Sequence, residues 1–230
     1  DADGKETLVD SWITDGSVHQ IYGKLIAGQT YILREASAPK GYAKAADQQI
    51  IVGTDGKVQD VTMQDIATKV GIDKVDEDGK PLSGAVLQLL DAAGTEIDQW
   101  TTDGTTHRMD AILTAGAEYT LHEVSAPDGY CVAADQKFTV NADGSLTNVK
   151  LTNLSTKVQI SKTTITGDTE LEGAKLEVRD LSGNALDSWT SGKEAHMITA
   201  KLTAGQTYVL HETAAPNGYV VSNDIEFTVN

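Results

Sequence analysis

Residues 113–130 read LTAGAEYTLHEVSAPDGY, and this stretch decides the fold because the chain contains its pattern three times. The shared pattern is Leu-x-Ala-Gly-x-x-Tyr-x-Leu-x-Glu-x-x-Ala-Pro-x-Gly-Tyr, and it recurs at residues 25–42 and 202–219. Outside it, Trp12, Trp100 and Trp189 keep the same spacing of 88 and 89 residues. A fixed period of this length indicates a tandem array of similar structural units.

Two closely similar tetrapeptides mark the joins between the units. Ala-Thr-Lys-Val begins at residue 67 and Ser-Thr-Lys-Val begins at residue 155, which leaves no room for a flexible linker. We therefore predict three stiffly coupled units at residues 1–66, 67–154 and 155–230. Alignment of the repeats predicts that unit one lacks its first strands, that unit two is complete and that unit three lacks its last strand. This phasing favours a segment of a longer array.

The local pattern within each unit predicts an all-β fold. Short alternating segments such as 85–90, 118–123, 137–140 and 146–153 are separated by turn signals, and helical periodicity is absent. The turns include several Asp-Gly pairs, which tolerate the positive φ that tight hairpins require. About seven strands in a single unit predict tandem Greek-key β-sandwiches of immunoglobulin-like type.

The composition excludes several classes of partner. A net charge of -16 and a pI near 4.5 predict no binding to nucleic acid or to an anionic membrane surface, because the field of the protein repels phosphate groups. No apolar run is long enough to span a bilayer, so we expect no membrane insertion. Cys131 is the only cysteine, and therefore no disulfide can form within the chain.

Strand alternation places polar residues at the ends of apolar faces in unit two. Side chains two residues apart share a face of a strand, so each polar residue is expected to point inward with its apolar neighbours. The three faces are Val70, Ile72 and Lys74; Tyr119, Leu121 and Glu123; and Val149, Leu151 and Asn153. Burying a polar or charged group without a partner is costly, so we expect the three polar groups to meet.

Two interpretations of this meeting remain open from the residues alone. The first is a buried ion pair between Lys74 and Glu123 with a hydrogen-bonded amide at Asn153. The second is chemical, because burial lowers the pKa of a lysine and raises the pKa of a glutamate. A neutral Lys74 amine could then attack the side-chain carbonyl of Asn153 and expel ammonia, while Glu123 polarises the carbonyl and carries protons.

The repeated pattern, together with Val-x-Ile-x-Lys before it and a strand ending in Asn after it, resembles the B-type (CnaB) domains of Gram-positive surface adhesins and SpaA-type pilins. The resemblance covers essentially the whole chain. It implies a prealbumin-like sandwich in which the first-strand lysine and the last-strand Asn or Asp form a spontaneous isopeptide bond with help from the glutamate. Carried over by position, Lys74, Glu123 and Asn153 are the complete triad of unit two.

The end units depart from this pattern. Unit one keeps Glu35 and Asp65, with Asp65 after Val61 and Met63 at the acceptor position, but it has no first-strand lysine. Unit three has Lys162 and Glu212, and its acceptor is absent. We expect either that the chain is a segment of a longer array, which we favour, or that a strand from another copy completes each end unit.

Other motifs carry weaker signals. His122 and His211 each precede a glutamate, but the second histidine of a zinc-protease motif is replaced by alanine, and the segment is a strand. The repeat-phased histidines and tryptophans favour structural and packing roles over metal or glycan binding. An aspartate cluster from Asp73 to Asp78 lacks the glutamate that closes a calcium loop. We therefore predict no metal site and no cofactor.

These observations predict a structural stalk or spacer of a bacterial cell-surface adhesin or pilus-like protein. Its expected partners are neighbouring units of the same array, and its expected location is the outside of the cell, attached to the cell wall through parent sequence outside this chain. The alternative is a binding module for a host extracellular-matrix protein or a glycan, which would show an exposed apolar patch on one unit. An enzyme is not expected, because the only reactive constellation would consume itself in one turnover.

Overall fold

The computed structural model of the chain describes residues 6–167 and 169–230, and strands are the only regular secondary structure within them. These strands are, in chain order, β1 (Thr30–Leu33), β2 (Tyr42–Ala43), β3 (Gln48–Ile51), β4 (Ile66–Ala67), β5 (Lys69–Asp76), β6 (Ser83–Asp91), β7 (Glu96–Asp103), β8 (His107–Asp110), β9 (Glu118–Ser125), β10 (Gln136–Thr139), β11 (Leu146–Asn153), β12 (Lys157–Ile160), β13 (Lys175–Arg179), β14 (Ala185–Thr190), β15 (His196–Thr199), β16 (Thr207–Ala214) and β17 (Ile225–Thr228). The predicted all-β fold class is confirmed.

Unit two is a sandwich of two sheets. One sheet has four strands in the order β10-β9-β6-β7, and the other has three in the order β11-β5-β8. Both sheets contribute to a single buried core, with Ile72 and Leu151 from one and Leu87 and Leu121 from the other. The alternation of buried and exposed residues along β11 is strict, as expected for a strand with one face in the core. The strands predicted for this unit are confirmed.

The first and last strands of unit two are parallel neighbours. β5 pairs with β11 over their whole lengths, from Lys69 opposite Leu146 to Asp76 opposite Asn153. β5 also pairs with β8 on its other side and is therefore the central strand of its sheet. This register puts Lys74 opposite Leu151, two residues before Asn153.

Unit three repeats this architecture without an equivalent of β11 among the described residues. Its four-stranded sheet has the order β14-β13-β16-β17, which corresponds strand by strand to β7-β6-β9-β10. Its second sheet consists of β12 and β15, the counterparts of β5 and β8. The core contains Ile160, Val178, Ile198 and Tyr208. One edge of β12 is therefore unpaired within the described residues, at the position where β5 pairs with β11.

Unit one is the least regular part of the described chain. Residues 6–29 form no strand, and β1 pairs only with β3. The prediction that Val61, Met63 and Asp65 form an inward-facing strand is wrong for this structure, because residues 58–65 adopt no strand and Val61 is 41% exposed. The physical reason is that the described part of unit one contains no counterpart of β5 with which the segment equivalent to β11 could pair.

Candidate functional site

Three polar side chains predicted from strand alternation meet inside unit two. Lys74 comes from β5, Asn153 from the neighbouring β11, and Glu123 from β9 in the facing sheet. Lys74 Nζ lies 3.5 Å from Glu123 Oε1, and Asn153 Nδ2 donates a hydrogen bond of 3.0 Å to the same oxygen. One carboxylate oxygen thus joins the amine to the amide.

The site is dry. The side chains of Lys74 and Glu123 are 1% and 0% exposed, and Asn153 is also buried. Burial lowers the pKa of Lys74, and the charge and hydrogen bond of Glu123 only partly oppose this effect. A lowered pKa favours the neutral amine, which is the nucleophilic form of a lysine.

Backbone groups hold Glu123 and Asn153 in place. The backbone N–H of Ala133 donates a hydrogen bond of 2.5 Å to Glu123 Oε2, and Asn153 Nδ2 donates a second bond, of 2.9 Å, to the carbonyl of Cys131. Lys74 Nζ also lies 3.4 Å from the carbonyl of Leu151. The role of Ala133 was not predicted from the sequence. Ala45 and Ser222 occupy the same position of the repeat, and each donates its backbone N–H to the glutamate of its own unit.

One atom of the site is left without a partner. Asn153 Oδ1 is buried and accepts no hydrogen bond from any described residue. A buried carbonyl oxygen without a donor is costly, so Asn153 Oδ1 is an oxygen that would gain from accepting a proton. The arrangement therefore combines an amine of lowered pKa, an amide carbonyl and a carboxyl group that can carry a proton between them.

Unit three contains the same pair in a more open setting. Lys162 Nζ lies 3.3 Å from Glu212 Oε2, and Ser222 donates to that oxygen from both its backbone N–H (2.7 Å) and its hydroxyl (2.8 Å). Burial raises the pKa of Glu212, but the Ser222 hydrogen bonds and Lys162 outweigh it, so the net pKa is lowered. Burial thus acts in the expected direction on Glu212, but it does not set the net pKa, which the Ser222 hydrogen bonds and Lys162 lower. Glu212 Oε1 is buried and has no partner among the described residues.

Unit one brings its two predicted carboxyl groups together without a cation. Glu35 Oε2 accepts a 2.8 Å hydrogen bond from the Ala45 backbone N–H. Partial burial raises the pKa of Asp65, and the charge and hydrogen bond of Glu35 raise it further. Within the described part of the chain, neither carboxyl forms an ion pair with a lysine.

Each unit also contains a cluster of a tryptophan, a histidine and an aspartate that was not predicted from the sequence. In each unit a histidine ring stacks on a tryptophan at 4.0–4.1 Å and bonds through Nε2 to an aspartate at 2.8–3.1 Å. The clusters are Trp12, His19 and Asp10; Trp100, His107 and Asp98; and Trp189, His196 and Asp187. Trp100 and Trp189 also pack against their cores, so the predicted packing role is confirmed for these two. The sequence did carry a signal for these clusters, because their aspartates, tryptophans and histidines all recur with the period of the repeat.

The described residues contain no group of three His, Cys, Asp or Glu side chains that could hold a metal ion. In that same part of the chain, no helix has the length and apolar character needed to cross a membrane.

Comparison with known proteins identifies a family for most of the chain. A family model described as the SpaA prealbumin-like fold domain matches residues 68–155 and again residues 156–230. These two matches begin one residue after the predicted joins. No curated protein sequence matches the chain.

Several solved structures are similar to this one in fold. The Bacillus anthracis TIE protein is 22% identical, with 88% of this chain and 40% of that chain covered and a TM-score of 0.48. A Streptococcal ancillary pilin is 23% identical, with 89% and 72% covered and a TM-score of 0.36. The shaft pilin SpaA of Lactobacillus rhamnosus GG is 16% identical, with 71% and 93% covered and a TM-score of 0.35. The chain thus spans less than half the length of the TIE protein.

Proposed function

Because the chain belongs to the family of SpaA-type prealbumin-like fold domains, we propose that it is a structural shaft or stalk segment of a bacterial cell-surface protein, strengthened by an isopeptide bond between Lys74 and Asn153. The observation that carries this proposal is the meeting of Lys74, Glu123 and Asn153 in a dry site that joins the first strand of unit two to its last. The neighbouring units of the array are its partners.

The proposed reaction is a single intramolecular substitution. Lys74 first passes a proton to Glu123, and its neutral Nζ then attacks Cγ of Asn153 while Glu123 gives that proton to Oδ1, which accepts no hydrogen bond from any described residue. The intermediate loses the original Nδ2 as ammonia, with Glu123 relaying the protons, and an amide between the two side chains remains. The site is spent after one turnover, so we do not propose an enzyme acting on an external substrate.

The location of the bond suits a chain under tension. The array enters unit two through β5 and leaves it through β11, so a pulling force acts on these two parallel strands first. A covalent link between them would carry the load past the remaining strands, which hydrogen bonds alone would not do. Its effect would be kinetic, because unfolding of the unit would then require a covalent bond to break.

The intact mass of the purified chain tests the proposal. We expect the parent chain to be lighter than its sequence by one ammonia, and we expect Lys74→Ala and Glu123→Ala to restore the sequence mass. Lys162→Ala is the matched control in unit three and should keep the loss. A parent chain at its full sequence mass would contradict the bond.

We extend the proposal to unit three, where Lys162 would supply the amine of a second isopeptide bond and Glu212 would carry the protons. Glu212 Oε1 lacks a partner at the place where Glu123 Oε1 binds Asn153 in unit two. An acceptor strand carrying Asn or Asp would come either from further sequence of the same protein or from another copy. Denaturing electrophoresis at high concentration distinguishes the two, since only exchange between copies of this chain produces covalent multimers.

A second candidate function is adhesion through unit one, and a specific observation favours it. Unit one exposes apolar side chains at positions where unit two has polar residues. Ile13 is 94% exposed and Tyr22 is 74% exposed, whereas their counterparts are Thr101 and Asp110. Leu8, Val18 and Ile26 follow the same rule, and exposed apolar side chains specific to one unit are typical of an interaction surface.

Binding to immobilised extracellular-matrix proteins and glycans tests this second candidate. We expect Ile13→Thr combined with Tyr22→Asp to abolish any binding by the parent chain. The reverse change Thr101→Ile in unit two is the control and should leave binding unchanged. Equal binding by the parent and the double variant would exclude unit one as the adhesive surface.

A further inference from the structure

The two joins between units share one set of contacts. At the first join, the Thr68 backbone N–H donates to the carbonyl of Gly41 in unit one (2.9 Å), and the Ala111 N–H donates to the carbonyl of Thr68 (2.9 Å). At the second join, Thr156 donates to Gly129 (2.9 Å) and Ala200 donates to Thr156 (3.0 Å). The same three positions of the repeat are therefore connected in the same way twice.

Both joining threonines are buried and use their hydroxyl groups. Thr68 Oγ1 lies 3.1 Å from the carbonyl of Gly41 and 2.7 Å from that of Leu113, so it bridges units one and two. Thr156 Oγ1 lies 3.1 Å from the carbonyl of Gly129 and also bonds the carbonyl of Leu202. Each hydroxyl sits between the turn of one unit and the loop of the next.

The glycine of the Ala-Pro-x-Gly-Tyr turn makes room for the next unit. A Cβ atom on Gly41 would lie 2.2 Å from the carbonyl oxygen of Ala111, and one on Gly129 would lie 2.4 Å from that of Ala200. Ala111 and Ala200 have φ values of 56° and 54°, the only positive values among non-glycine residues in the described part of the chain. A strained residue repeated at the same place indicates that the surrounding contacts hold it there.

The third copy of the turn has the same shape, but no described residue approaches its glycine. The Tyr219 N–H bonds the carbonyl of Pro216 at 3.1 Å, as Tyr42 and Tyr130 do with their prolines. Gly218 has a φ of 87°, against 87° for Gly41 and 85° for Gly129, yet nothing lies within 4 Å of a Cβ built on it. The turn geometry is thus a property of the unit, and the close approach at the glycine comes from the neighbour.

We propose that the Ala-Pro-x-Gly-Tyr turn is a socket that fixes the angle of the next unit in the array, with the glycine admitting the carbonyl of the neighbour's left-handed alanine. Its partner is another unit of this kind, one that carries a threonine at its start and a residue of positive φ two positions before a buried leucine. Gly218 offers the same surface to such a unit. The socket is independent of the proposed isopeptide bond, which lies inside unit two.

Residual dipolar couplings measured by NMR on the whole chain test this proposal. In the parent, units two and three should share one alignment tensor. In Gly129→Ala the tensor magnitudes of the two units should differ by about twofold, because relative domain motion is the default once an interface is lost. Gly218→Ala is the matched control, since it carries the same backbone strain without a neighbour, and it should behave as the parent.

A second variant keeps the test decisive if Gly129→Ala disturbs unit two itself. Thr156→Val removes the bridging hydroxyl without changing any glycine and should also separate the two tensors. The loss of one ammonia should persist in all three variants, so failure of the socket and failure of the bond are distinguishable. A shared tensor in Thr156→Val, or separated tensors in Gly218→Ala, would overturn the proposal.

Discussion

Units two and three hold the same lysine and glutamate pair in different surroundings. The side chain of Lys74 is 1% exposed, whereas that of Lys162 is 18% exposed, and both glutamates are buried. The difference follows from β11, which covers Lys74 and delivers Asn153, and which has no equivalent in the described part of unit three. A final strand therefore converts a partly solvated ion pair into a buried site with a third polar group.

Removal of the lysine should give the largest difference in stability loss between units two and three. Lys74→Ala leaves Glu123 buried without its partner and also removes the proposed bond to Asn153, so it should destabilise unit two by at least about 3–5 kcal/mol. Lys162→Ala should cost unit three about 1 kcal/mol, because Ser222 still donates two hydrogen bonds to Glu212. Hydrogen exchange resolved by unit measures both effects.

The control for this comparison is an exposed ion pair on the same sandwich. Lys137 Nζ lies 2.8 Å from Glu118 Oε1 at the surface, so Lys137→Ala should cost less than about 1 kcal/mol. Equal losses for Lys74→Ala and Lys162→Ala would show that the covering strand does not set the energy of the pair.

A smaller difference is expected for the tyrosine that precedes each glutamate. The Thr114 N–H donates to the hydroxyl of Tyr119 at 3.0 Å, and the Ile26 N–H donates to that of Tyr31 at 2.9 Å. Tyr119→Phe should cost unit two about 1 kcal/mol, because Tyr119 is buried and the Thr114 N–H loses its partner there. Tyr31→Phe should cost less, since water can reach the half-buried site in unit one. Exchange rates of the Thr114 and Ile26 amides report each change directly, and equal acceleration would contradict the expectation.

The smallest expected effects have opposite signs at acid pH. The folded-state pKa of Glu212 is lowered from 4.5, so its contribution to the stability of unit three is present above pH 4.5 and lost as the pH falls through the lowered pKa. The folded-state pKa of Asp65 is raised from 3.8, so its contribution to unit one is present below pH 3.8 and lost as the pH rises through the raised pKa.

The pH dependence of unfolding therefore distinguishes unit one from unit three. Glu212→Gln should remove part of the acid sensitivity of unit three. Asp65→Asn should stabilise unit one near pH 7 by less than about 1 kcal/mol, because the group is partly solvated. Acid shifts of the same sign in both units would contradict the two assignments.

Alternation in the sequence was enough to find the three polar residues that meet inside unit two. Lys74, Glu123 and Asn153 each break an apolar face, and the period of two that governs a strand points all three inward. Their meeting did not require knowledge of the sheet order, because an unpaired buried charge is too costly to leave three such residues apart. The parallel register of β5 and β11 was not predictable in this way, since it depends on how distant strands pair.

The failures of prediction concern partners that are remote in the chain. Val61 has the same alternation as Val149, but alternation cannot form a strand without a neighbour to complete its hydrogen bonds. The lowered pKa of Glu212 depends on Ser222, ten residues away in a loop. The apolar residues of unit one were a different case, because comparing Ile13 with Thr101 and Tyr22 with Asp110 would have revealed them from the sequence.

The pairing of β5 with β11 also bears on the order in which a unit folds. The Trp100 and His107 stack is local in the chain, so it can form as soon as the segment from β7 to β8 is synthesised. The contact of Lys74 with the carbonyl of Leu151 spans nearly the whole unit, and β11 is the last strand of unit two to leave the ribosome during synthesis. Until then Asn153, the proposed acceptor on β11, is not in the site. The proposed bond would thus form only on a unit whose folding is complete, and its presence in a mature chain would record that each strand had reached its place.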